Sequence, residues 1–194
     1  MLKDRFRKFL PVVVDLETGG FNSKKNAILE IAIQLIDFKN DKLILGDSLR
    51  YHIQPSSDLL VEQESLDFLK LDLNNPLRMP VNEGFALKEL FKFINKQKKK
   101  YECTRAILVG HNAFFDHSFL FEACKRNNIK KSPFHPFSLI DTVSLGVLAT
   151  RQTVLARICK ELNIPYDDNE AHSARYDANV TAQVFCKIFN QYDS

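Results

Sequence analysis

Pro11-Val12-Val13-Val14-Asp15-Leu16-Glu17-Thr18 is an apolar run that breaks into two acids separated by one leucine. It reads as a buried strand, and residues i and i+2 of a strand point to one face, roughly 7 Å apart at about 3.3 Å rise per residue. Asp15 and Glu17 therefore look the same way from the edge of a core, where an uncompensated carboxylate is costly. Gly19-Gly20 marks a turn, after which Ala27 to Asp37 forms a longer strand with apolar positions at Ile28, Ile31, Ile33 and Leu35. Leu49 to Gln54 is a third strand, ended by Pro55. Three consecutive strands without intervening helices are most simply antiparallel.

Downstream the period changes. Glu62 to Leu69 is a short helix, and Phe85 to Lys99 an amphipathic one with Phe85, Leu87, Leu90, Phe91 and Ile94 near helical spacing. It feeds the apolar strand Ala106 to Val109 in a β-α-β arrangement. Phe115 to Asn127 reads as helix, Phe137 to Asp141 as a last strand, and Val143 to Ala149, Val154 to Leu162 and Arg175 to Tyr192 as helices. In the last of these, Val180, Val184 and Ile188 lie four apart and form a core stripe. The fold class is α/β, a mixed five-stranded sheet flanked by helices, with the acidic first strand central.

At 194 residues and 45% apolar content the chain is expected to be one domain over 1–194. The N-terminus is charged and no run of about 18 apolar residues appears, so neither a signal peptide nor a membrane span is expected and the cytoplasm is the expected compartment. Cys103, Cys124, Cys159 and Cys186 form no C-x-x-C pair and read as reduced core thiols. The net charge of +3 is too small to announce nucleic-acid binding, but the positive charge is clustered at Lys3 to Lys8, Lys96 to Arg105 and Lys125 to Lys131.

Two further acidic clusters follow the first. Asp116 closes His111-Asn112-Ala113-Phe114-Phe115-Asp116, and Asp177 comes five residues after His172. Asp15, Glu17, Asp116, Asp177 and His172 make the expected metal-binding and catalytic set. The carboxylate oxygens favour Mg²⁺, with Mn²⁺ as the other fit, over Zn²⁺. A two-metal site holds its ions about 3.5 to 4 Å apart, which suits four carboxylates with one bridging. Residues five apart on a continuous helix face different ways, so His172 is expected to precede the helix that carries Asp177. The chemistry expected is in-line attack of water on a terminal phosphodiester. One ion rests on Asp15, Glu17 and Asp177, a second on Asp15 with indirect help from Asp116, and His172 takes the proton. An imidazole with its reference pKa of about 6.5 suits that task near neutral pH. His111, by contrast, reads as a local hydrogen-bonding residue.

Asp-x-Glu-Thr, His-Asn-x-x-Phe-Asp and His-x4-Asp, in this order, resemble the three motifs of the DEDD exonuclease superfamily in its histidine subclass. The tyrosine subclass would need Tyr at position 173, which is Ser173. Asp4-Arg5-Phe6-Arg7, Glu17 to Asn22, His111 to Phe119, Ser132 to Phe137 and Gln152 to Leu155 narrow the resemblance to the ribonuclease T family, almost end to end. The resemblance implies a ribonuclease H-like fold and a 3′ to 5′ exoribonuclease trimming tRNA and other stable RNA ends. It also implies that Phe21, Phe68, Phe115 and Phe137 stack on the last bases while Glu64 reads a base edge. The family acts as a homodimer, in which basic residues guide RNA into the partner's site; Arg5, Arg7, Lys99, Arg105 and Lys130 match them. A proofreading DNA exonuclease subunit or an oligoribonuclease shares the acid motifs, and a catalytically silent nucleic-acid-binding module is the reading from another class. The intact five-residue set argues for the enzyme.

Overall fold

The computed structural model describes residues 2–192. After a short helix α1 (Leu2–Arg5), strand β1 (Phe9–Thr18) runs through the middle of the molecule with Val12, Val13 and Val14 at most 1% exposed. Burial of consecutive residues means that both faces of the strand are covered. β2 (Ile28–Lys39) and β3 (Lys42–Gln54) add to it as an antiparallel meander. β3 is longer than its sequence suggests. Asn40 and Asp41 both have positive φ (51° and 58°), the conformation of a two-residue hairpin turn, and they bring Lys42 directly opposite Lys39.

After the 3-10 turn Pro76–Arg78, the two-residue strand β4 (Val81–Asn82) pairs in parallel with the end of β3. This is a sixth strand beyond the five expected; two residues carry no alternation by which to find it. Beyond helix α2 (Gln63–Leu69) and α3 (Glu83–Lys100), β5 (Arg105–Gly110) pairs in parallel with β1, and after α4 (Ala113–Arg126) β6 (Phe134–Asp141) pairs in parallel with β5. The sheet order is β4-β3-β2-β1-β5-β6, mixed and with β1 interior.

Helices α5 (Thr142–Thr150), α6 (Leu155–Glu161) and α7 (Ala174–Tyr192) complete the chain. α7 lies across β1, β2 and β3, while α3 and α4 pack on each other and on the remaining face. The Val180, Val184 and Ile188 stripe is at most 2% exposed and closes on Ile158, Cys159, Leu162 and Ile164. Each such fully buried side chain contributes about 1.5 to 3 kcal/mol. α7 is thereby held along its length, which fixes the position of its first turn. Among the described residues no helix is long and apolar enough to cross a membrane.

Candidate active site

The C-terminal end of β1 sets the site. Asp15 stands opposite Ala32 and Glu17 opposite Glu30, so both acids point to one face as the spacing requires. On that face the first turn of α7 delivers Asp177. Ligand oxygens of Asp15, Glu17 and Asp177 all lie within 4.8 Å of one another. Asp177 Oδ2 accepts the backbone N–H of His172 at 2.9 Å, whereas its Oδ1 is buried without a hydrogen-bond partner.

Asp116, 3% exposed, sits in the first turn of α4 and accepts the backbone N–H of Leu16 as well as its own. It is tied to β1 beside Asp15 but stands outside the trio. His172 lies in the loop before α7, as its spacing from Asp177 requires, with a left-handed backbone (φ 66°). Its exposed ring rests 4.4 Å from that of Phe68 and is not brought into the trio.

Burial and mutual repulsion hold these acids above the ordinary carboxylate range. Burial, then the charges of Asp116, Glu17 and Asp177, raise Asp15 well above the carboxylate range. Burial followed by Asp177, Glu30 and Asp116 pushes Glu17 up to about 8. Burial likewise raises Asp116 and Asp177. Carboxylates this close stay ionised together only with a cation between them. The unpartnered Asp177 Oδ1 and the all-oxygen donors therefore fit a hard divalent ion.

Beside the acids runs a groove of about 360 Å³ lined by Glu17, Phe21, Glu64, Phe68 and Phe115 among others. Phe21 and Phe68 are 88% and 63% exposed, far outside the core average for phenylalanine. Glu64 and Phe68 share one face of α2 by their i, i+4 spacing. Phe137 does not join them. It is exposed on the bulged part of β6, two strands from β1, with its ring edge-on to His135 at 4.5 Å.

The basic residues stand at the other end of the sheet. Arg105 pairs with Phe9 at the start of β1, six residues and roughly 20 Å from Asp15. Lys99 lies in the last turn of α3, which leads to Arg105, and Lys130 lines one cavity with it. Arg7 is exposed in the turn before β1. Arg5 is engaged structurally, its guanidinium 4.9 Å over the Phe38 ring and bonded to the Asp41 carbonyl.

Several residues that shape the site escape the sequence patterns. Asn26, 1% exposed, donates to the Gly19 carbonyl and the Glu62 carboxylate and accepts the Asn22 N–H, each at 2.9 Å. It thereby pins the turn that presents Phe21. Within that turn Gly20 has φ +147°, and a Cβ there would lie 2.4 Å from Asn26 Nδ2. Asn22 makes an Asx-turn there, its Oδ1 accepting the Lys24 N–H at 3.1 Å, and its place just after Gly19-Gly20 is the signal that could have found the turn. Asp141 caps α5 and accepts the Ala113 N–H at 2.8 Å, which seats the helix carrying Asp116. Glu30, 5% exposed among the apolar residues Ile28, Leu29, Ile31 and Ala32, is a buried acid opposite Glu17. His111, as its motif suggests, makes local bonds, to Thr142 Oγ1 and the Thr153 carbonyl at 2.9 Å each.

With this geometry in hand, the chain matches an exonuclease family model, RNase_T, over residues 12–185. It is 50% identical over 192 residues to ribonuclease T of Hahella chejuensis, covering 98% of this chain and 88% of that one. To ribonuclease T of Photorhabdus laumondii it is 46% identical over 193 residues, covering 99% and 89%. Among solved structures it is similar in fold to E. coli exonuclease I in complex with a dT13 oligonucleotide, with a TM-score of 0.70 at 17% identity. That match covers 94% of this chain, which spans only 41% of the exonuclease I chain.

Proposed function

The chain belongs to the exonuclease family and is a hydrolytic nuclease; from that premise we propose that it is a 3′ to 5′ exoribonuclease trimming short single-stranded ends of tRNA and other stable RNAs. The whole chain, 1–194, acts as one exonuclease domain, working in the cytoplasm where such RNAs are processed. The observation that carries the reading is the trio Asp15, Glu17 and Asp177 within 4.8 Å at the mouth of a groove walled by exposed phenylalanines.

Asp15, Glu17 and Asp177 would hold Mg²⁺, with Asp116 supporting Asp15 from its anchored place in α4. Two such ions, when bound, supply positive charge to the attacking and leaving oxygens of a phosphodiester. The protein's own part is positioning. Phe21, Phe68 and Phe115 stack on the unpaired terminal bases, Glu64 addresses a base edge from the same face of α2, and His172 accepts the proton of the attacking water. The product is a nucleoside 5′-monophosphate. Phe137 is assigned to bases farther from the cut.

Homodimerisation belongs to the same reading. Arg7, Lys99, Arg105 and Lys130 lie too far from their own acids to hold a substrate there, and a partner's site is the one they serve. Digestion of 3′-tailed RNA and DNA duplexes, with and without Mg²⁺, tests the proposal by where it stops. Trimming of the RNA tail to the edge of the duplex, only with the ion, is the expected result; cleavage without Mg²⁺, or at internal positions, contradicts it.

A further inference from the structure

Phe21 is a partition between two grooves. The inner one, described above, runs past Glu17, Phe68 and Phe115. A second, outer groove of about 650 Å³ shares Phe21 with it and is lined also by Asn22, Lys24, Phe114, Ser118 and Glu62, whose carboxylate is engaged by Asn26. The motif assigns no role to Phe114. It is nevertheless 74% exposed at the start of α4, and with its neighbour Phe115 it places one phenylalanine in each groove.

The partition is built to stay put. Asn26 bonds it at both ends, the Gly19 carbonyl also receives the Glu62 N–H at 2.8 Å, and the Lys24 N–H is held by Asn22 Oδ1 at 3.1 Å. An exposed aromatic face, a lysine and short polar side chains along a groove are what a single-stranded nucleotide needs: a surface to stack on, a cation for its phosphate and donors for its edge. Nothing in the packing of α4 requires Phe at 114, since its side chain faces solvent.

Resting on the exoribonuclease reading, we propose that the outer groove is a second nucleotide subsite, in which Phe114 stacks on an unpaired base 5′ of the nucleotides in the inner groove and Lys24 pairs with its phosphate. The strand crosses the Phe21 partition, so one ring separates bases that belong to the same strand.

The test compares wild type with Phe114→Ala and Lys24→Ala on RNA oligonucleotides of two to six residues. Phe114→Ala is expected to raise KM roughly tenfold on the longer substrates, the size of one lost base stack, while the dinucleotide, kcat and the melting temperature are unchanged. Lys24→Ala should act in the same direction and reduce the salt dependence of KM. Equal effects at every length, or no effect at any, overturn the subsite. An effect that appears only when a complementary strand is annealed also overturns it, because the groove then holds the opposing strand. Binding titrations of the same oligonucleotides in EDTA separate the two levels. Length-dependent affinity lost in Phe114→Ala in EDTA, together with no hydrolysis by wild type in Mg²⁺, leaves the subsite standing and removes the exoribonuclease reading. Normal hydrolysis with unaltered Phe114→Ala affinity removes the subsite alone.

Discussion

Glu30 lies directly across the β1–β2 pair from Glu17, so two glutamates share one rung of the sheet within the field of Asp177. Like charges facing each other across strands destabilise the pair. Burial raises both acids, and only Glu30 has cations to offset it, the guanidiniums of Arg50 and Arg78. The cost is borne where a cation can relieve it.

A pH dependence follows. An acid whose folded pKa is raised stabilises the fold fully below its unfolded value, and that contribution is lost as pH rises through the folded value. For Glu17 the window runs from its ordinary 4.5 to about 8. Metal-free protein should therefore melt at a lower temperature at pH 8 than at pH 5, and Mg²⁺ should restore most of the difference at pH 8. Calorimetry in EDTA across this range checks it; a flat profile would show that the crowding is not felt.

Asp15→Asn should abolish hydrolysis with the fold intact, because it removes charge at the point where the fields of four other acids, Asp116, Glu17, Asp177 and Glu30, converge. Relief of repulsion should leave the metal-free protein at least as stable as wild type. Turnover within threefold of wild type, roughly 0.6 kcal/mol of barrier, would falsify the role of Asp15.

His172→Ala should cost on the order of 10² to 10⁴ in turnover while single-strand affinity changes little. Single-turnover rates alongside binding titrations make the separation. Loss of Mg²⁺ affinity in its place would make His172 a ligand.

Phe21→Ala and Phe68→Ala should each weaken binding of a single-stranded 3′ end by about 1 to 3 kcal/mol with little change in melting temperature. A core phenylalanine behaves the other way, losing about 3 to 5 kcal/mol of stability. Their exposures of 88% and 63% place them on the binding side of that contrast.

Asn26→Ala removes three hydrogen bonds at a buried position and should cost about 2 to 4 kcal/mol of stability. KM for single strands should rise as well, since Phe21 loses its support. Urea melts and steady-state kinetics on one preparation measure both; a stability loss without any KM change would detach the turn from binding.

The acid site was legible because its logic is local. The two-residue period of a strand puts Asp15 and Glu17 on one face, and a five-residue gap places His172 outside the helix of Asp177. The α7 stripe was legible for the same reason. What escaped depends on pairings far apart in sequence: Asn26 with Glu62, Asp141 with the Ala113 N–H, and Glu30 with Glu17 acquire meaning only once the chain is folded. The separation of Phe137 from Phe21, Phe68 and Phe115 arises from the strand order, which puts β6 two strands from β1, and strand order is not written in local sequence.

The pinned turn around Gly20 and Asn26 bears on the thermodynamics of recognition. Loops that order on contact surrender conformational freedom at the moment of binding, and that loss is subtracted from affinity. Here the aromatic wall loses its freedom when the chain folds, so an arriving strand meets a surface already in place and only the strand itself must become ordered. Affinity for short ends should accordingly depend on how readily the RNA tail gives up its own stacking, with weakly stacked tails binding ahead of strongly stacked ones of equal length.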